Sequence, residues 1–109
     1  MAINWTTVET QIAQEVSGIV GGAWQNAAAG ASAQFAAIIA VGKQIEQDRD
    51  SMQQAEYDSL KRMQQRALHG VLQTDAGISL DIAQQAAAAA WSVLVDAVKT
   101  AYPAIGFIL

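Results

Sequence analysis

Apolar side chains recur every three or four residues along most of this chain, and its only proline is residue 103. This spacing is the period of an α-helix, and it places the apolar side chains of each segment on one face. Because Pro103 restricts the residue before it and has no backbone N–H, the last helix should end by Tyr102. The pattern predicts an all-α protein, either a helical hairpin or a small bundle of about four helices. The helices are expected near residues 5–20, 23–41, 43–72 and 79–101.

Several helix boundaries are marked by local signals. Asn4 can cap the first helix, or Thr6 can do so with Glu9 three residues later as a capping box. The adjacent glycines Gly21 and Gly22 weaken a helix and predict a turn or kink after it. The Thr, Asp, Gly and Ser residues between positions 73 and 79 predict a turn before the last helix.

The middle of the chain is charged and contains no helix breaker between Lys43 and His69. Its basic and acidic residues are interleaved, so no basic stripe is available for a phosphate backbone, and the pattern argues against nucleic-acid binding as the main role. We expect one long charged central helix with a narrow apolar stripe. The residues of that stripe are Ile45, Met52, Leu60, Met63, Ala67, Leu68 and Val71.

The length of 109 residues suits one domain that can bury a core without disulfides or metal ions. We therefore treat residues 1–109 as a single helical domain, with residues 102–109 as an apolar C-terminal tail. Such a tail packs on its own core or serves as a contact for a protein partner. The absence of cysteine excludes thiol chemistry and leaves the cell compartment undetermined.

No motif indicates catalysis, a metal or a cofactor. The single histidine, His69, has no acidic residue three or four positions away, so it lacks the usual partner of a catalytic base or a metal ligand. Asp48 and Asp50 resemble the start of a calcium loop, but the glycine and glutamate required further on are missing. Gly42–Lys43 likewise fails as a phosphate-binding loop. We predict that the protein is not an enzyme and takes no cofactor.

Large side chains on the apolar stripes are the expected core anchors. Trp24, Trp91 and Leu94 are predicted to fulfil this role, and Phe35 lies on the same stripe as Trp24. The stripe of the last helix also includes Ile82, Ala86, Ala90, Val95 and Val98.

Small residues are spaced closely through the charge-free stretch from Val16 to Gly42. Small side chains on a helix allow two backbones to approach, either within one chain or between two copies. We predict a self-association surface, and hence a homo-oligomer, since one narrow stripe is too small to cover all apolar faces. The predicted surface consists of Gly18, Gly22, Ala27, Ala28, Ala31 and Phe35.

The same charge-free stretch supports an alternative. It is long enough to cross a bilayer of ~30 Å, although its glycines and amides make it only weakly apolar. The sequence therefore predicts a non-enzymatic structural or interaction module that self-associates through Ala/Gly-rich helices. The alternative is a membrane-active amphipathic helical protein that is soluble first and then binds or enters a membrane.

Overall fold

The computed structural model describes residues 3–107 and 109. In this part of the chain the backbone forms four α-helices and no strand, and a short 3₁₀ turn at Gly21–Ala23 joins the first two helices. The predicted all-α fold class is confirmed. The helices are α1 (Trp5–Val20), α2 (Trp24–Asp48), α3 (Gln54–Ala76) and α4 (Leu80–Ala101).

Two side-chain caps start helices as their residue types predict. Asn4 caps α1, since its side-chain oxygen accepts a hydrogen bond from the Thr7 backbone N–H at 3.1 Å. Of the two sequence alternatives, Asn4 rather than Thr6 therefore begins the helix. Ser79 caps α4 in the same way, accepting from the Ile82 backbone N–H at 3.3 Å.

Two glycines end helices by adopting positive φ. Gly21 has φ 72° and terminates α1, and Gly77 has φ 67° and terminates α3 in the left-handed conformation. Residues with a side chain rarely adopt this conformation, so both positions favour glycine. The predicted turn at residues 73–79 is shorter than expected, because α3 continues to Ala76.

The division between the second and third helices differs from the prediction. The charged residues from Lys43 to Asp48 belong to α2, and the break lies at Arg49–Gln53, where the sequence has neither glycine nor proline. The backbone N–H groups of Ser51 and Met52 both donate to the Asp48 carbonyl, and the Met52 side chain is buried. Burial of the Met52 side chain stabilises the turn, and no glycine or proline in the local sequence indicates it.

Each helix runs antiparallel to the next, and α4 returns to lie beside α1. Trp5 at the start of α1 contacts Gly42 near the end of α2, and Gln34 of α2 donates to Gln64 of α3 at 2.9 Å. Tyr57 of α3 contacts Trp91 of α4. The result is a four-helix bundle with principal extents of 40 × 26 × 18 Å.

One core runs through the bundle, and all four helices contribute to it. Three residues of the predicted apolar stripes are exposed: Met63, at 59% exposure, Ala67 and Ile82. On α3 the face that turns inward carries Tyr57, Leu68 and Leu72, which leaves Met63 on the outside, and Ile82 lies in the first turn of α4. The principal buried side chains are Val8, Ile12, Val16, Ala27, Ala31, Phe35, Ile38, Ile45, Tyr57, Leu68, Leu72, Ala86, Ala90, Trp91, Leu94 and Val98.

The apolar tail packs on the bundle. The Phe107 ring is buried and lies 5.1 Å from the Tyr57 ring, centroid to centroid. Ile105 and Leu109 are partly buried against the same core. These side chains make contacts within the chain.

Candidate interaction surfaces

The structure divides the small-residue surface that the sequence predicts. Ala27, Ala31 and Phe35 are buried within the chain itself, Ala28 is half-buried, and only Gly18 and Gly22 are exposed. The buried residues occupy the face of α2 that also carries Ile38 and Ile45, and the bundle uses this face for its own core. The six residues therefore do not form one accessible surface in this structure.

The opposite face of α2 is also built of small residues, and it is exposed. Its alanines alternate three and four positions apart, which is the average spacing of a coiled-coil seam. We call this set the outer face of α2. It consists of Asn26, Ala29, Ala33, Ala36, Ala40 and Lys43, and all six residues are exposed.

The outer face of α2 differs in charge from the exteriors of its neighbours. Between Gln25 and Ala40 no residue is charged, and Lys43 is the one charged member of the face. The exposed residues of α3 include Glu56, Asp58 and Arg62, as is usual for a helix side that meets only water.

Two surface depressions lie along the sides of α4. A groove between α1 and α4 has a volume of about 630 Å³ and mixes apolar and polar walls, and its charged residues are Glu15 and Asp96. A smaller cleft of about 330 Å³ lies between α3 and α4 and contains Arg62, Arg66 and His69. Neither depression combines a nucleophile with an adjacent base and a third orienting group, the arrangement that nucleophilic catalysis requires.

Glu46 connects three parts of the chain. Its carboxylate accepts hydrogen bonds from the Ile3 backbone N–H at 3.3 Å, the Trp5 indole N–H at 3.0 Å and the Tyr102 hydroxyl at 2.6 Å. The Arg49 guanidinium lies 4.1 Å from the centroid of the Tyr102 ring.

These contacts set the protonation of Glu46. Partial burial acts to raise the pKa of the carboxyl, but the hydrogen bonds from Tyr102, Trp5 and Ile3 and the positive charge of Arg49 outweigh it, so the pKa lies below its ordinary value of 4.5. Glu46 therefore serves as a charged acceptor that joins the start of the bundle to the segment after α4.

A second polar group lies inside the core. The Trp91 indole N–H donates to the Tyr57 hydroxyl at 2.9 Å, and that hydroxyl donates to the main-chain oxygen of Leu109 at 3.1 Å. Burial raises the pKa of Tyr57 above its ordinary value of 10.0, against the effect of the Trp91 hydrogen bond. The neutral hydroxyl thus links α3, α4 and the tail.

The predicted core anchors occupy different depths. Trp91 and Leu94 are buried, whereas Trp24 is half-buried and stacks on Phe35 with ring centroids 5.9 Å apart. Tyr57 could not be identified from the sequence as a core residue, because a tyrosine among charged and amide residues resembles an exposed one. Leu60, three residues after Tyr57, is only partly buried, so the apolar stripe of α3 did not indicate that Tyr57 faces the core.

In the described residues, no group of three or more His, Cys, Asp or Glu side chains could hold a metal ion. None of the helices at residues 3–107 is both long enough and apolar enough to cross a membrane. Comparisons with protein-family models, with curated proteins and with solved structures found no match to this chain.

Proposed function

We propose that this protein is a non-enzymatic interaction module that self-associates through the outer face of α2. The observation that carries the proposal is the exposure of four alanines, Ala29, Ala33, Ala36 and Ala40, at coiled-coil spacing on a helix side without a charge before Lys43. The side of a helix that meets only water usually carries charged residues, as α3 does. A second helix with the same small side chains would pack against this face.

The spacing of the outer face is the same in both chain directions, with intervals of three, four, three, four and three residues. In an antiparallel pair of α2 helices, Ala29 therefore faces Ala40 of a second copy, and Ala33 faces Ala36. Asn26 at one end then meets Lys43 at the other, where its side-chain oxygen can accept from the ammonium group. This self-complementarity favours a closed, two-fold symmetric dimer.

The expected affinity is modest, because alanine methyl groups are small. The eight alanine methyl groups bury little apolar surface, and association itself costs translational and rotational freedom. Close approach of the two backbones adds dispersion contacts. We expect weak association, so the dimer should depend strongly on concentration.

Sedimentation equilibrium from ~10 μM to ~1 mM tests the proposal. The average mass of the parent protein should rise towards that of a dimer over this range. Ala33→Glu places two charges near the two-fold axis and should keep the protein monomeric, while its thermal stability changes little because residue 33 is exposed. Ala67→Glu is the matched control, since it adds the same charge at an exposed alanine of α3.

The control variant should associate as the parent does. A parent chain that stays monomeric at ~1 mM would contradict the proposal. An Ala67→Glu variant that loses association as completely as Ala33→Glu would also contradict it, because the effect would then be one of net charge.

Disulfide trapping tests the orientation of the pair. The chain contains no cysteine, so single substitutions report only on the designed contact. An antiparallel dimer brings residue 29 of one copy to residue 40 of the other, within the ~7 Å between Cα atoms that a disulfide requires. Ala29→Cys mixed with Ala40→Cys should form a mixed disulfide, whereas each variant alone should not. Efficient linking of each variant to itself would indicate a parallel pair and reject this arrangement.

A further inference from the structure

The cleft between α3 and α4 concentrates cationic and hydrogen-bonding side chains. Arg62, Arg66 and His69 follow one another at intervals of four and three residues, which places them on the same side of α3. Gln65 and Gln84 add amide groups from the two helices. All five side chains can donate hydrogen bonds into the same depression.

The lining of this cleft contains no carboxylate. This is unusual in a chain with ten acidic and six basic residues, and two of those six basic residues are here. On the α4 side the wall is formed by Ala87 and Ala88, whose short side chains leave space in front of the arginines. The result is a small, positively charged depression of about 330 Å³ on an acidic protein.

His69 adds an independent observation. Its Nδ1 atom is buried, and it has no hydrogen-bond partner within the part of the chain that the structure describes. A shielded ring nitrogen without a partner is uncommon in proteins, because it loses its hydrogen bonds to water without replacement. Nδ1 therefore does not anchor the imidazole through a hydrogen bond to any of the described residues.

We infer that the α3–α4 cleft binds an oxyanion, a phosphate or carboxylate group, between Arg62 and Arg66. A guanidinium group presents paired N–H donors that match two oxygens of such a group, and two guanidinium groups on one helix face neutralise its charge. The volume lies at the low end for ligand sites, which fits a single oxyanion group better than a large ligand. The inference goes beyond the proposed function, since the cleft and the outer face of α2 share no residue.

The single histidine makes this site directly observable. Because His69 is the only histidine, its imidazole signals in an NMR spectrum are assigned without ambiguity. Sodium phosphate and sodium acetate would be titrated separately at fixed pH, each against sodium chloride at the same ionic strength. We expect a saturable shift of the His69 signals, and the anion with the lower dissociation constant identifies the preferred group.

The double variant Arg62→Gln, Arg66→Gln should weaken binding by about tenfold or more. Lys99→Gln is the control, since it removes an exposed cation of α4 that does not line the cleft; it should bind as the parent does. Because Arg62 and Arg66 are exposed, the double variant should keep its fold, and far-UV circular dichroism checks this. If the double variant is not folded, Arg66→Lys replaces it in the test. This variant keeps the charge but loses the paired donors, so it should bind the anion more weakly than the parent does.

Two results would overturn the inference. One is a shift that rises linearly with both anions and does not saturate. The other is saturable binding that the arginine substitutions leave unchanged, or that Lys99→Gln weakens as much as they do. In either case binding would not depend on this cleft.

Discussion

At Gly42 the bundle requires a residue without a side chain. A Cβ atom placed there would lie 2.6 Å from the Cζ3 and Cη2 atoms of Trp5 and 3.0 Å from the Cδ1 atom of Leu94. The indole ring therefore packs directly on the backbone of α2, and its N–H reaches Glu46 one turn further on. The sequence suggested that this glycine separates two helices, because the close approach of Trp5 from another helix has no local signal.

Gly42→Ala should destabilise the protein by about 1–3 kcal/mol, since the added methyl group forces the Trp5 ring away from α2. Urea denaturation followed by circular dichroism would measure the change. Gly70→Ala is the matched control in the interior of α3, where an added Cβ meets no atom within 4 Å. That variant should gain about 0.5–1 kcal/mol from its higher helix propensity. Equal effects of the two substitutions would show that the contact with Trp5 is not limiting.

The Tyr57 hydroxyl provides a second prediction for a single residue. Tyr57→Phe removes the acceptor of the Trp91 indole N–H and leaves that donor in the core without its partner. An unsatisfied buried donor costs about 1–3 kcal/mol. Thermal and urea unfolding should show a loss of this size. A variant as stable as the parent would mean that the indole finds another acceptor when the hydroxyl is absent.

Among the helices, the predictable boundaries are those with a local cause. Asn4, Ser79 and Gly77 act on their own backbone or on residues three or four positions away, so their effect could be predicted from the sequence. The break between α2 and α3 depends instead on the burial of Met52 by other helices. The alanines of α2 were likewise hard to assign, because they occur on the inner face beside Phe35 and Ile38 as well as on the outer face.

Helix pairing also determines the pH dependence of stability. Glu46 joins α2 to residues before α1 and after α4, and its pKa in the folded protein is below 4.5. A lowered carboxyl pKa contributes stability that is fully present above the unfolded value and is lost as the pH falls through the folded value. Glu46 should therefore stabilise the bundle at neutral pH and lose this effect below about pH 4.5.

Melting temperatures of the parent and of Glu46→Gln between pH 3 and pH 7 test this role. The parent should be more stable at pH 7, and the difference should shrink in acid, because only the parent has a carboxylate to protonate at this position. A difference that stays constant over the whole range would assign the effect of the substitution to packing and not to charge.

For the molecule as a whole, the bundle covers nearly all of its large apolar side chains. Of the described residues, Met63, Leu80 and Ile82 are the large hydrophobic ones that remain exposed. Self-association was expected from the sequence because apolar surface would be left over, but the antiparallel arrangement of the four helices buries nearly all of the large apolar side chains. The remaining support for self-association is the outer face of α2, and only the folded structure distinguishes this face from the inner one.

The hydrogen bonds of Glu46 also bear on the connectivity of the fold. The Ile3 N–H and the Tyr102 hydroxyl reach the same carboxylate oxygen, so residues close to the two ends of the described chain lie side by side. A peptide linker from the tail back to the start of α1 would join these segments, and the chain could be reopened between α3 and α4 at residues 77–79, outside any helix. The order of the helices along the polypeptide would then change while their arrangement in space stayed the same, so a circular permutant of this bundle is structurally accessible.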